Sequence, residues 1–364
     1  MQATQPFLVY RDRIGVPSEI GFLRRQYIGF TKLHPVWTGR TLLPGASRIG
    51  DHLLHLGGDG PLGPIHRWLF RYLERLPPMS DRNFAPLLHA QFARGGALAL
   101  SLAEGLGSRM VVTLHGGDVS KTKNWRGGTV LAKRWPAVVQ KTERFVCVSG
   151  AVAEIAAARG VPLRKLVVLP IGVEVPDNPP ISHPTGYLFV GRFVEKKGIA
   201  VLADAMRRLR ALGDQTPLVC AGDGPLRSFL EALVREVPGI TLTGWLSPEA
   251  VREHMIRAFA VVVPSIVAGD GDAEGLPSVI PEAMAQGCPV VGSDQGGIAE
   301  AVRHGHTGLL VPAGDAGALA DAMHRIVQDG ALRKTLGSAG FKHAATCLNA
   351  RNQSQKLETL LLSV

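Results

Sequence analysis

Two glutamates, Glu274 and Glu282, stand eight positions apart in the segment EGLPSVIPEAM, with a Gly-Leu-Pro turn between them. A carboxylate carries several acceptor lone pairs at fixed spacing, which suits it to take two hydroxyls of a polyol ring, so a pair of carboxylates suits two such rings. Pro281 has no amide hydrogen and is tolerated only in the first turn of a helix, so a helix is expected to start near Ser278, with Ser278 as its cap. The free amides of the stretch Gly275 to Val279, which includes Leu276, Pro277 and Ser278, would then face out of a helix N-terminus, where the dipole favours an anion. The bland alternative is a helix start whose glutamates only compensate the dipole.

A second group lies upstream. The segment FVGRFVEKKG places Arg192 and Lys197 just beyond an apolar run, bracketed by Gly191 and Gly198. Arginine offers a rigid two-pronged fork and lysine a mobile point charge, a combination suited to a diphosphate leaving group. Taken alone, the same residues read as a solvated basic loop. Gly222, Asp223, Gly224 and Pro225 form another glycine turn, a feature common in α/β proteins. In the first half, His115 follows the apolar run Met110 to Leu114 and opens the segment HGGD, which ends at Asp118. A histidine so placed either faces a cleft or serves as an ordinary structural residue.

These residues need elements to position them. Short apolar runs alternate with helical stretches from end to end, the pattern of parallel sheets covered by helices on both faces. Strands are expected near Phe7–Tyr10, Leu87–Phe92, Met110–Leu114, Arg144–Val148, Tyr187–Val190, Leu218–Ala221, Ile240–Leu242, Ala260–Val263 and Pro289–Val291. Helices are expected near 196–212, 226–236, 316–328 and over 331–364. The segment VPDNPPISHPTG (175–186) has no hydrophobic period and reads as a linker. The expectation is an α/β chain of two doubly wound parallel-sheet domains, 1–178 and 183–345, followed by a helix over 346–364. Ligands of open parallel sheets bind beyond the carboxyl ends of the strands, so the chemistry is expected in a cleft between the domains.

A chain of 364 residues exceeds what one core usually organises, and 46% hydrophobic against 19% charged residues suits a well-packed globular protein. Charge is uneven: residues 1–175 hold 23 Lys and Arg against 11 Asp and Glu, the remainder 17 against 19. Such a basic half suits nucleic acid, an anionic membrane or a phosphorylated acceptor. Nucleic acid is set aside, because it leaves the glycines and carboxylates of the second half without a purpose. Cys147, Cys220, Cys288 and Cys347 form no CxxC pair and read as buried thiols of a reducing compartment, with no zinc site. No secretory signal and no apolar run long enough to span a bilayer is seen, which points to a cytoplasmic protein.

The segments GRFVEKKG, AGDGPLR, GWLSPEAV, PSIVAGDGDAEGLPSVIPEAMAQGCPVV and GGIAEAV together resemble the retaining family-4 glycosyltransferases of the GT-B fold. In the first half DRIGVPSEIGFLRRQ, LLHAQFARGG, VVTLHGGDVSK and FVCVSGAVAEIAAARG resemble acceptor domains of members that assemble bacterial exopolysaccharide and lipopolysaccharide. The resemblance implies that Arg192 and Lys197 bind a donor diphosphate, Glu274 the transferred sugar and Glu282 the nucleotide ribose. It implies a nucleobase near Gly222–Pro225 and Gly244–Ser247, with His115 against the donor sugar and Asp118 close by. Family members need no metal or other cofactor, so the expected partners are a nucleotide-diphosphate sugar, with UDP favoured over GDP, and a glycan or polyprenyl-diphosphate-linked acceptor.

The sequence also departs from that pattern. Many relatives carry a Gly-Gly pair in the first strand-to-helix loop, whereas here Arg13 to Glu19 holds only Gly15. Ser18 and Glu19 there suit a capped helix start, and Glu19 equally suits an acceptor contact. Asp270-Gly271-Asp272 imitates a metal motif of another glycosyltransferase fold and reads as a solvated turn. Trp125, Arg126, Lys133, Arg134 and Trp135 interleave aromatic and basic residues, which suits either a peripheral contact with anionic lipid or an ordinary exposed helix. Arg67, Trp68, Phe70, Arg71 and Tyr72 give a smaller patch of that kind. A nucleotide-sugar epimerase and a catalytically silent donor-binding module are alternatives to a hexosyltransferase.

Overall fold

The computed structural model describes residues 4–73 and 86–364, with the backbone alone over 71–73, so the Arg71 and Tyr72 side chains lie outside the described part. The chain forms two compact units, Met1–Gly172 with Ala350–Val364, and Val173–Asn349. The first unit therefore ends at Gly172 rather than at 178. The proline-rich stretch is stitched to the second unit instead of hanging between two: Ser182 Oγ donates to the Ile256 carbonyl at 2.7 Å and Thr185 N to the Arg257 carbonyl at 2.9 Å. The chain leaves the second unit beside the point where it entered, with Val173 N donating to Leu348 O at 2.7 Å.

The first unit is built on a seven-stranded parallel sheet in the spatial order Leu53–His55, Leu33–Gly39, Gln5–Tyr10, Leu87–Gln91, Arg109–Leu114, Thr142–Cys147 and Leu166–Val168. The second has six parallel strands in the order Ile240–Gly244, Leu218–Ala221, Gly186–Val190, Ala258–Val263, Val290–Ser293 and Gly308–Val311. Runs such as AFAVVV are buried almost throughout, as strands covered on both faces must be. Helices pack on these faces. Asp315 caps Ala316–Gln328 by accepting from Ala318 N, and Ser247 caps Pro248–Ile256, where Pro248 fills a first-turn position.

In each sheet the chain begins centrally, works outward to one side, then returns to build the other. The switch falls between Gln5–Tyr10 and Leu87–Gln91 in the first unit, and between Gly186–Val190 and Ala258–Val263 in the second. Loops that leave two such neighbouring strands diverge, which opens a crevice for ligands at their carboxyl ends. Those loops carry Arg11–Glu19 and Phe92 in one unit, and Gly191–Lys197 and 264–278 in the other.

The last helix, Ala350–Ser363, packs on the first unit. Its Glu358, 5% exposed, accepts from the amides of Thr31, Lys32 and Leu33 at 2.6–2.9 Å, and Ser354 Oγ accepts from Gly29 N at 2.9 Å. Contact is close enough that a Cβ on Gly29 would lie 2.6 Å from the Arg351 carbonyl oxygen.

Candidate functional site

In the second unit three loops are locked into one platform. Gly198 has φ +67°, and a Cβ there would fall on the Pro264 carbonyl oxygen, so only glycine lets the EKK turn lie against the strand end at Pro264. Ile266 N then donates to Lys196 O at 2.9 Å, and Gly269 N to Glu195 Oε1 at 3.0 Å. The Gly222 and Gly224 turn presses on the neighbouring loop in the same way, since added Cβ atoms would meet Gly191 O and the Phe193 backbone. Gly222 N donates to Gly244 O at 2.8 Å, so Gly191, Gly222, Gly224 and Gly244 first of all build this platform. Gly191 itself leaves a Cβ 3.4 Å from the Lys197 stem, which is ordinary contact.

On this platform Glu274, its side chain only 10% exposed, faces two ammonium groups, Lys197 Nζ at 3.1 Å and Lys196 Nζ at 3.5 Å from Oε1. Burial alone would raise the Glu274 pKa, but Lys197 and then Lys196 outweigh it and hold the carboxyl below its usual range. Burial likewise opposes the charge on Lys196, and Glu274 and Asp272 together raise its pKa. The lysine contacts are ion pairs without hydrogen-bond geometry, so the buried Glu274 Oε1 accepts no hydrogen bond. The two ammonium groups offset its charge, and its lone pairs remain available to a further donor. Among the described residues, the amides of Gly275, Leu276 and Ser278 donate no hydrogen bond, and the exposed Arg192 side chain makes neither hydrogen bond nor ion pair. The helix that follows is Val279–Ala285, with Pro281 and the half-buried Glu282 in its first turn.

Two expectations are corrected here. Ser278 occupies the cap position but lies in helical φ/ψ, and its side chain makes no capping bond, since a cap of that kind needs an extended backbone. Asp270 to Asp272 is not a solvated turn: Asp272 is 7% exposed and binds Lys196 Nζ at 3.2 Å, while Asp270 Oδ1 accepts from Asp272 N. Lys196 was not singled out in the sequence, because its partner Asp272 lies 76 positions away.

In the first unit the loops at the switch point assemble an aromatic pocket around His115. Phe92 lies against the imidazole at an interplanar tilt of 34° with centroids 4.2 Å apart, Phe22 lies at 5.4 Å, and the Arg11 guanidinium sits 4.5 Å from the Phe92 centroid. Phe92 adopts φ +69° at the start of the Ala93–Gly105 helix, a strained state that costs about 1–3 kcal/mol in a side chain of that bulk. Asp118 holds it there: Oδ2 accepts from Ala93 N at 2.8 Å and Oδ1 from His115 N at 3.0 Å. Both Asp118 oxygens thus serve the backbone, and the carboxylate lies beside His115 as expected of its place in the sequence. Glu19 is engaged too, gripped by Arg11 through Nε at 2.8 Å and Nη2 at 2.7 Å. The helix there starts at Pro17 after Val16, so Ser18 lies inside it and is not its cap. Gly15, φ +92°, is required because a Cβ would lie 2.5 Å from Ala46 N.

The expected aromatic surface is also corrected. Trp135 is 6% exposed and donates from Nε1 to the Arg159 carbonyl; Trp125 donates to Val119 O, and the Arg159 guanidinium covers its ring at 4.5 Å. Indole N–H groups removed from water need such partners, and these make the Trp135 ring part of the core and tie the half-buried Trp125 ring to the fold. Arg126 and Lys133 remain exposed, and Arg134 Nη2 donates to Ser101 Oγ. Cys147, Cys220 and Cys288 are buried, whereas Cys347 is exposed at a helix end. Among the described residues no helix is long and apolar enough to cross a membrane.

Residues 184–329 match the family model Glycosyl transferases group 1, and residues 44–175 match Glycosyltransferase Family 4. The amylovoran biosynthesis glycosyltransferase AmsK of Erwinia amylovora is 31% identical over 255 residues, which cover 67% of this chain and 62% of AmsK. A glycogen synthase of Mycobacterium tuberculosis is 29% identical over 264 residues, covering 69% of this chain and 62% of that protein. The chain thus spans about three fifths of the length of the curated relatives it matches. The structure of HepE from Anabaena in complex with UDP-glucose superposes with a TM-score of 0.78 over the full length of both chains at 15% identity, a likeness of fold.

Proposed function

Because the chain belongs to the group 1, family 4 glycosyltransferases, with the two Rossmann-like units of the GT-B fold, we propose that it transfers a hexosyl unit from a nucleotide-diphosphate sugar to a glycan hydroxyl. The observation that supports a donor on the second unit is its unspent bonding capacity. Glu274 Oε1 is buried without a hydrogen bond, the amides beside it are unused, and Arg192 is uncommitted. A hexose hydroxyl answers the first need. A diphosphate answers the other two.

In the reaction so assigned, the bond between the anomeric carbon and the diphosphate oxygen breaks with its electron pair going to the diphosphate. Arg192, Lys197 and Lys196 stabilise the growing negative charge, the part a metal ion plays in other transferases. The acceptor oxygen bonds to the anomeric carbon on the face the diphosphate leaves, and its proton passes to the departing phosphate oxygen, so configuration is retained. We assign UDP as the donor nucleotide, in keeping with the UDP-glucose complex of the HepE fold. The acceptor is assigned as a cell-surface glycan on a polyprenyl diphosphate, in keeping with the amylovoran role of AmsK and the basic first half. Arg126, Lys133 and Arg134 would meet the anionic inner face of the membrane by charge alone.

The test is thermal unfolding with UDP-, GDP- and ADP-hexoses in EDTA. A donor at about 100 times its Kd stabilises the fold by about 2.7 kcal/mol, so a clear upward shift with UDP-hexose is expected. No shift with any sugar nucleotide, or a shift only after adding a divalent ion, would overturn the assignment. UDP release that needs an acceptor separates a transferase from an epimerase, which converts the sugar alone, and from a silent binding module.

A further inference from the structure

Beneath His115 the first unit contains a continuous chain of hydrogen-bonded side chains within its core. His115 Nε2 lies 2.9 Å from Gln91 Oε1, and Gln91 Nε2 donates to the Tyr27 hydroxyl at 2.7 Å. Tyr27 Oη lies 2.9 Å from His89 Nδ1, and His89 Nε2 lies 2.7 Å from Thr113 Oγ1. Gln91, His89 and Thr113 are fully buried, and Tyr27 is 7% exposed.

The chain has a direction. An amide oxygen only accepts, so His115 must carry its proton on Nε2. The Tyr27 hydroxyl accepts from Gln91 and has one proton to give, so it donates to His89 Nδ1, and His89 in turn donates from Nε2 to Thr113. Every link is thereby made with both imidazoles neutral. Among the described residues His115 Nδ1 has no partner, and the ring is partly open to solvent.

We propose that Gln91 is the positioning residue of His115, fixing it as the neutral Nε2–H tautomer so that Nδ1 presents a bare lone pair to a sugar hydroxyl. The catalytic part of this inference rests on the glycosyltransferase reading, while the tautomer does not. The charged and titratable groups that face the ring agree with a neutral state. Arg11, itself held by Glu19, lies across the Phe92 ring, and His89 lies behind Gln91. The Asp118 carboxylate is turned to the His115 amide. Burial, with Arg11 and His89 next, pushes the His115 pKa well below the ordinary histidine value.

The test is two-bond proton–nitrogen coupling in the full chain labelled at histidine, with the His115 signals assigned by their loss in His115→Asn. At pH 7 the expected pattern is neutral Nε2–H for His115 and His89. An Nδ1–H tautomer, which a reversed Gln91 amide would impose, or an imidazolium overturns the proposal. In Gln91→Leu the His115 tautomers should mix, and an unchanged pattern also overturns it. Should that variant not fold, Gln91→Glu keeps the shape and substitutes a group that favours the imidazolium. The His115 pKa should rise, and kcat should fall on the acid side by tenfold or more between pH 8 and pH 6 while KM changes little; the wild-type kcat should stay flat over that span. A parallel profile in both proteins refutes the positioning role. Absence of transfer in the wild type refutes the glycosyltransferase reading and leaves the coupling result standing.

Discussion

The pocket around His115 and the platform around Glu274 occupy equivalent positions at the switch points of two similar sheets, yet they are finished to different degrees. The first is closed upon itself. Asp118, Glu19, Gln91, Tyr27 and His89 all have partners in the first unit. The second is left open, with a buried carboxylate oxygen lacking a hydrogen bond and an exposed, uncommitted arginine. Internal bonding fixes geometry before a ligand arrives, and unspent bonding capacity supplies affinity once it does. The same topology therefore supports one half whose polar groups are paired within the fold and one that keeps bonding capacity in reserve.

The strongest way to break this contrast is to remove the Arg192 guanidinium. Arg192→Ala is expected to lower the transfer rate by about 1000-fold, roughly 4 kcal/mol of transition-state stabilisation, measured as UDP release with acceptor present. Because Arg192 supports nothing else among the described residues, its unfolding midpoint should stay where it was. A variant that is destabilised yet still active would place Arg192 with the scaffold instead.

The closed half should respond in the opposite sense. Glu358→Ala leaves the amides of Thr31, Lys32 and the buried Leu33 without their charged acceptor, with an expected cost of about 3 kcal/mol in urea unfolding. The shift that donor induces in the second unit should survive. An unfolding curve no different from the wild type would show that the last helix adds nothing to the first unit.

The smallest effect sharpens the comparison through pH. Burial pushes the His89 pKa down to about 3, against about 6.5 for an unfolded histidine. Between those values the unfolded chain binds a proton that the folded chain refuses. Stability is therefore lost as pH falls below about 6.5, with a slope approaching about 1.4 kcal/mol per pH unit from this group. His89→Gln should flatten that part of the stability–pH curve measured from pH 7 to 5. An undiminished slope would mean that His89 is protonated inside the fold.

Much of this architecture was legible in the sequence. Runs such as LVCA and AFAVVV are apolar on both faces, and Ala316–Gln328 shows helical periodicity behind a capping aspartate. The strand Leu33–Gly39 was missed because His34 and Pro35 interrupt its pattern; its place beside Gln5–Tyr10 depends on tertiary packing. The carboxylate and cation chemistry at Glu274 and Lys197 was legible because residue type and turn geometry both point to it. Pairings across long separations were not. Nothing local tells that Lys196 is taken by Asp272, that Arg11 reaches Glu19, or that the Trp135 indole nitrogen is satisfied by the Arg159 carbonyl. Gln91 carries no local mark of its bond to His115, 24 positions away.

The seat of Glu358 has a consequence for biogenesis. During synthesis the amides at Thr31 to Leu33 emerge early, while the carboxylate that satisfies them leaves the ribosome only after the entire second unit has been made. The nascent first unit must wait, incomplete along one flank, as the later one matures. Translation order and order of completion are thereby inverted, and a chain stalled before residue 350 would expose a seam that a chaperone or a protease can read.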